Sequence, residues 1–166
     1  MKLLLLSFCL LLLSCSSSSN GPEESTVGLY FSPDELSLSI GEEVVVGLHV
    51  SDCSQPVFGV SLQLEYNFSV VSFNAEQGLT TGDFFPDETI TFCTVDDSLI
   101  YLTHSLVQGE DSVAGSGLLV SFRFSGITSG ECSLQLNEET IIFYDEAGAV
   151  LEFEEPHYGS ATLTVN

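Results

Sequence analysis

From Val27 onward, apolar and polar residues alternate along most of the chain. Over Glu43–Val50, the side chains of Val44, Val46, Leu48 and Val50 share one face, and Val45, Gly47 and His49 share the other. Phe58, Val60, Leu62, Leu64 and Tyr66 alternate with Gly59, Ser61, Gln63 and Glu65. Over Gly117–Phe124, Leu118, Val120, Phe122 and Phe124 point inward, and Leu119, Ser121 and Arg123 point outward. A period of two marks half-buried strands. Shorter runs share it: Val27–Phe31, Leu36–Ile40, Val70–Phe73, Thr89–Val95, Leu99–Leu106, Cys132–Leu136, Thr140–Tyr144 and Ser160–Val165. Turn residues separate these runs at Ser32-Pro33-Asp34, Gly41-Glu42, Ser51-Asp52, Thr81-Gly82-Asp83, Gly109-Glu110-Asp111, Ser129-Gly130 and Glu146-Ala147-Gly148. Glu76–Glu88 is the longest irregular stretch, read as a loop or one helical turn, and Gly115-Ser116-Gly117 is read as a loop turn. No long helical stripe occurs. The expected fold is all-β, a two-sheet sandwich forming one domain over residues 27–166.

The N-terminus follows a different pattern. Lys2 precedes an almost unbroken apolar run, Leu3–Leu13, too short to span a bilayer as a stable anchor. A base before a short apolar stretch reads as an export signal. The run ends in Leu12-Leu13-Ser14-Cys15, which resembles the lipobox of bacterial lipoproteins. That resemblance implies a signal peptide over residues 1–14, cleavage before Cys15 and a diacylglycerol on its sulfur. Residues 15–26 then form the lipidated cysteine and a flexible, Ser-rich tether. The expected location is the outer membrane or cell surface of a bacterium.

Charge narrows the partners. The 166 residues hold 24 acids and two bases, a formal net charge of −22. Such a polyanion repels nucleic acid and anionic lipid, so membrane contact is expected through the lipid anchor alone. Disorder does not follow from the charge, because 44% of the residues are hydrophobic, including 12 Phe, and can fill a core. Near-absence of Lys and Arg also means that salt should relieve self-repulsion.

The sequence offers no recognisable catalytic or metal-binding motif. Among 24 acids, neighbours such as Asp96-Asp97, Glu138-Glu139 and Glu154-Glu155 occur by chance and read as solvated faces. His49, His104 and His157 lack the His-x-x-x-His spacing of a zinc site, and no Cys-x-x-Cys occurs. No Ser sits in Gly-x-Ser-x-Gly, and no calcium-loop spacing is present. The expectation is a non-enzyme without cofactor or metal. Outside the leader and Cys15, Cys53, Cys93 and Cys132 are odd in number and are expected to stay reduced and mostly buried.

Three stretches together resemble a cohesin domain. They are Leu38-Ser39-Ile40-Gly41-Glu42-Glu43-Val44-Val45-Val46, the run Val57–Phe73, and Gly117–Phe124 after an acidic, Gly-rich loop. The likeness covers nearly all of residues 27–166. It implies a jelly-roll sandwich of about nine strands, akin to carbohydrate-binding modules. It also implies a receptor for dockerin modules in polysaccharide-degrading assemblies. The implied binding face is the sheet holding Phe58–Tyr66. The chain departs from the family at the Tyr-Asp-Pro corner, which reads Tyr66-Asn67-Phe68. It departs again at two outward positions that often carry Asn and Asp and here read Gly59 and Ser61.

Gly59, Ser61, Gln63 and Glu65, with Tyr101 and Thr103 on the neighbouring strand, are therefore the expected partner-binding residues. Ser105 extends that row. The alternative is a carbohydrate-binding module on the cell surface, with Tyr30, Tyr101, Tyr144 and Tyr158 as a stacking strip for polysaccharide. The anchor is tested separately from either reading. Detergent, but not high salt, should release the protein from membranes, and Cys15→Ser should leave a soluble or unprocessed species. Normal membrane retention of that variant would contradict lipidation.

Overall fold

The computed structural model describes residues 27–86 and 88–166. The leader 1–14, the lipidation residue Cys15 and the tether up to residue 26 lie outside the described residues. Fourteen strands build two sheets: β1 (Gly28–Ser32), β2 (Glu35–Leu38), β3 (Glu43–Val57), β4 (Gly59–Glu65), β5 (Val71–Phe73), β6 (Leu79–Thr81), β7 (Thr89–Asp96), β8 (Leu99–Leu106), β9 (Val113–Gly126), β10 (Gly130–Leu136), β11 (Ile142–Tyr144), β12 (Val150–Leu151), β13 (His157–Tyr158) and β14 (Ala161–Val165). Among the described residues the only helical element is a 3-10 turn at Glu138–Thr140. No helix there is long and apolar enough to cross a membrane.

The first sheet runs β13-β1-β3-β9-β5, with β6 also on β9. The second runs β12-β11-β4-β10-β14-β2, with β8 on β4 and β7 beyond β8. β11 and β10 share one edge of β4: β11 takes Gly59–Ser61, and β10 takes Leu64 and Glu65. The N-terminal segment serves both sheets, because β1 joins the first and β2, beyond Ser32-Pro33-Asp34, joins the second.

The inward rows meet between the sheets. Val46, Leu48 and Val50 of β3 and Phe122 and Phe124 of β9 are fully buried, as are Leu64, Ile100, Leu134 and Leu163 of the opposite sheet. Phe73 packs its ring 5.5 Å from Phe124 and 5.7 Å from Phe122, and Tyr66 lies 5.8 Å from Phe124. Aromatic pairs in tilted or edge-on geometry add to what area burial alone supplies.

The all-β sandwich and the inward rows of β3 and β4 match the sequence reading. Four local expectations need correction. Leu119, expected outward, is fully buried. Leu48 pairs with Val120 and His49 with Leu118, so Leu119 is the extra residue of a β-bulge, and the bulge shifts the period by one. Ser51-Asp52 does not end the strand. β3 continues to Val57 through a second irregularity where Asp52 has φ 53° and donates its N–H to Ser116 Oγ at 2.9 Å. Gly115-Ser116-Gly117 lies inside β9 rather than in a loop. Finally, the stretch Glu76–Glu88 contains β6, and the two-residue strands β12 and β13 add short edges that the sequence runs did not include.

Within that stretch, Gly82 lies against β9: its N–H donates to the Leu119 carbonyl, and a Cβ there would collide with the Leu118 carbonyl. This close approach seats Phe84 and Phe85, both buried, between the sheets.

Leu119→Ala should therefore cost roughly 2–5 kcal/mol in chemical denaturation, as should Leu62→Ala. Val45→Ala, on an exposed site, should stay within about 0.5 kcal/mol. A Leu119→Ala variant as stable as Val45→Ala would mean that the bulge is misplaced.

Candidate functional site

The outer face of the second sheet is set by pairing. β4 and β8 are antiparallel, with Ser61 opposite Thr103 and Gln63 opposite Tyr101. β7 continues the face, with Phe92 opposite Thr103 and Thr94 opposite Tyr101. On the far side of β4, Ile142 lies opposite Ser61 and Tyr144 opposite Gly59. Because Val60, Leu62, Leu64, Ile100, Leu102 and His104 are buried, strand alternation turns Ser61, Gln63, Glu65, Tyr101, Thr103 and Ser105 outward.

All six expected partner-binding residues thus share one face. Gly59 differs in character from the rest. It is buried, and a Cβ on it would stand 2.8 Å from the Ser105 Cβ. It keeps β4 and β8 close and offers no open floor. That floor lies one step along, where the Ser61 and Thr103 hydroxyls hydrogen-bond at 2.9 Å. A shallow hollow of about 240 Å³ opens there, lined by Ser61, Gln63, Thr94, Tyr101, Thr103 and Thr140 with Phe92 at its side.

The sequence reading passed over β7. Phe92 is 67% exposed, the largest value among the exposed large hydrophobic side chains, and Ile90 and Tyr101 are exposed beside it. The missed signal is the double apolar pattern of Thr89–Val95: Ile90 and Phe92 fall on one parity, Cys93 and Val95 on the other. A half-buried strand carries one such row, so a second row marks an apolar surface. The outward rows of β4, β7, β8 and β11 carry acids only at Glu65 and Asp96, with Glu88 just ahead of β7 and Glu131 of the neighbouring β10 lining a hollow with Glu65.

Beneath this face sits His104, fully buried. Its Nδ1 lies 2.8 Å from the Thr91 hydroxyl, its Nε2 has no hydrogen-bond partner, and the Phe85 ring is centred 5.2 Å away. Burial holds the imidazole below the ordinary histidine range, with the Ile90 main chain acting in the opposite sense. His49 instead stacks on Tyr30 on the outer side of the first sheet, ring centres 5.1 Å apart.

The three cysteines among the described residues are free, as expected: Cys53 and Cys132 are buried, and Cys93 is partly buried on the inward side of β7. Burial pushes the Cys53 and Cys93 thiols up to about 11 and raises Cys132. All three therefore stay protonated and unreactive near neutral pH. No group of His, Cys, Asp and Glu suited to a metal ion forms among the described residues. The four tyrosines of the alternative reading do not make a strip. Tyr101 and Tyr144 lie on the second sheet's outer face, Tyr30 on the opposite face of the molecule, and Tyr158 packs against the core.

Because His104 is held neutral in the fold and ionises freely once unfolded, the unfolded chain binds more protons below about pH 6.5. Its contribution is complete above that pH and is lost as pH falls toward the depressed folded pKa. Melting temperature should therefore drop between about pH 7 and 5.5 in a way that His104→Leu abolishes. A slope unchanged in that variant would show that another group controls it.

No protein-family model matches the sequence, and no curated protein matches it. Solved structures do match. CaCohA2 from Clostridium acetobutylicum superposes with a TM-score of 0.67 at 19% identity, over 86% of this chain and 92% of that one. A non-cellulosomal cohesin from the archaeon Archaeoglobus fulgidus gives 0.64 at 15%, over 85% and 90%. The Coh-OlpA–Doc918 complex from Clostridium thermocellum, a type I cohesin–dockerin complex, gives 0.65 at 10%, over 85% and 99%. The fold of residues 27–166 is that of a cohesin domain.

Proposed function

We propose that this chain is a non-catalytic receptor, held to the cell envelope through a lipid on Cys15, that captures a dockerin-type module across the outer face of β11, β4, β8 and β7. One observation carries the reading. On a chain with a formal charge of −22, the hollow on this face has no charged residue in its lining, and Phe92, Ile90 and Tyr101 stand exposed around it. Exposed aromatics beside a pocket are what protein interfaces use as anchors. The cohesin fold, and its occurrence in a complex with a dockerin module elsewhere, support the choice of partner.

The chemistry follows from the lining. An apolar side chain of the partner entering between Phe92 and Tyr101 gains about 25 cal/mol for each Å² of apolar surface removed from water. The hydroxyls of Thr94 and Thr140 and the Gln63 amide satisfy polar groups at its rim. Glu65, with Asp96 across the sheet, receives a basic group and fixes orientation more than affinity. No reaction is involved, so positioning and water exclusion are the whole mechanism.

Purified dockerin modules from the source organism, immobilised and challenged with the protein, test this. Ser61→Arg should abolish capture by filling the hollow, and Phe92→Ala should weaken it on the order of tenfold to a hundredfold. Both variants should melt like the wild type, since both side chains point away from the core. Equal capture by all three proteins places the site elsewhere. No capture by any, with retention on an insoluble polysaccharide, favours sugar binding.

A further inference from the structure

The sheet edges differ in length. The outer strands β2, β5, β6, β12 and β13 run two to four residues, short enough to offer little template to another chain. β7 runs eight residues and pairs with β8 on one side. On its other side no strand lies among the described residues.

The ladder fixes which backbone groups face that open side. The Val107 N–H donates to the Glu88 carbonyl at 3.0 Å, which makes Glu88 and Val107 a hydrogen-bonded pair in the register of β7 and β8. Antiparallel alternation then assigns Ile90, Phe92, Thr94 and Asp96 to the bonds with β8. The N–H and C=O groups of Thr89, Thr91, Cys93 and Val95 point out of the sheet. Thr89–Val95 contains no charge, Pro or Gly, so the usual means of blocking an edge are missing. Acids stand at both ends, Glu88 before the strand and Asp96-Asp97 at its close. A second copy paired antiparallel about Phe92 would set Glu88 against Asp96 at each end, a repulsive arrangement. A strand with basic ends would meet an acid at each.

We propose that the open edge of β7 accepts, by strand addition, an extended segment of a partner protein with alternating β-branched or aromatic residues and a Lys or Arg at each end. Thr89, Thr91, Cys93 and Val95 supply the main-chain bonds, Ile90 and Phe92 pack the outer row of added side chains, and Glu88 and Asp96 pair with the basic ends. Main-chain pairing at an edge is distinct from docking across the face, and either can hold without the other.

The peptide Lys-Lys-Val-Thr-Val-Thr-Val-Lys-Lys is a suitable probe, with a version carrying Pro at the central position as control. Titrated into the isotope-labelled whole protein, it should bind saturably and slow amide exchange at Thr89, Thr91, Cys93 and Val95. Two screened end pairs should make affinity fall on the order of tenfold between about 0.05 and 0.5 M NaCl. Val95→Pro removes one outward N–H and no bond to β8, so it should weaken binding severalfold without shifting the melt. Several results would overturn the proposal: no saturable binding, equal binding of the Pro peptide, protection on another strand, or a free protein already dimeric through β7.

Discussion

The pairing of β4 with β8 is the constraint on which the rest depends. It sets Val60 opposite His104, Leu62 opposite Leu102 and Leu64 opposite Ile100, all buried against the first sheet. A slip of one residue would expose this row and bury Ser61, Gln63 and Tyr101 in its place, at a cost no edge interaction could offset. The same register fixes the outer face. It also decides which backbone groups of β8 are left for β7, and through them which groups of β7 face outward. Core, outer face and open edge are three consequences of one alignment.

Electrostatics works by contrast. The chain carries 24 acids, and their mutual repulsion favours solubility and opposes close approach of like surfaces. Against that background, the uncharged lining of the hollow beside exposed Phe92 would reduce the acid-to-acid penalty for a protein docking as proposed. In the proposed docking, the acids at the margin of the face, Glu65 and Asp96, would favour a partner with basic groups.

Much of the fold was legible in the sequence because period-two alternation reports burial directly. The rows of β3, β4 and β8 read correctly for that reason, and Ser61, Gln63, Glu65, Tyr101 and Thr103 fell on one face as a result. What was not legible depended on partners. Leu119 is inward because a bulge opposite Leu48 and His49 inserts one residue, and nothing within Gly117–Phe124 announces it. Ser51-Asp52 looked like a turn, yet Ser116 accepts the Asp52 N–H and carries the strand through. β12 and β13 are too short for a period to show. Gly59, expected among the partner-binding residues, is crowded by Ser105, 46 positions away in the chain, which its own stretch does not reveal.

β7 shows how a weakly held element can still be a useful one. Its inward row, Thr89, Thr91 and Cys93, is only partly buried, and Val95 is exposed, so hydrophobic burial contributes less here than in β4 or β8. The strand is held chiefly by its ladder with β8 and by the contact of Thr91 with His104. A buried imidazole with an unpartnered Nε2 carries a desolvation cost that a core leucine would avoid, and His104 sits on β8 directly opposite Thr91 of β7. Low local stability is typical of elements that adapt to a partner. A module docked across the face would bury Ile90 and Phe92, and an added strand would also pair the outward amides. The stability that β7 lacks alone would then be supplied by binding, and part of the affinity would be spent on ordering it.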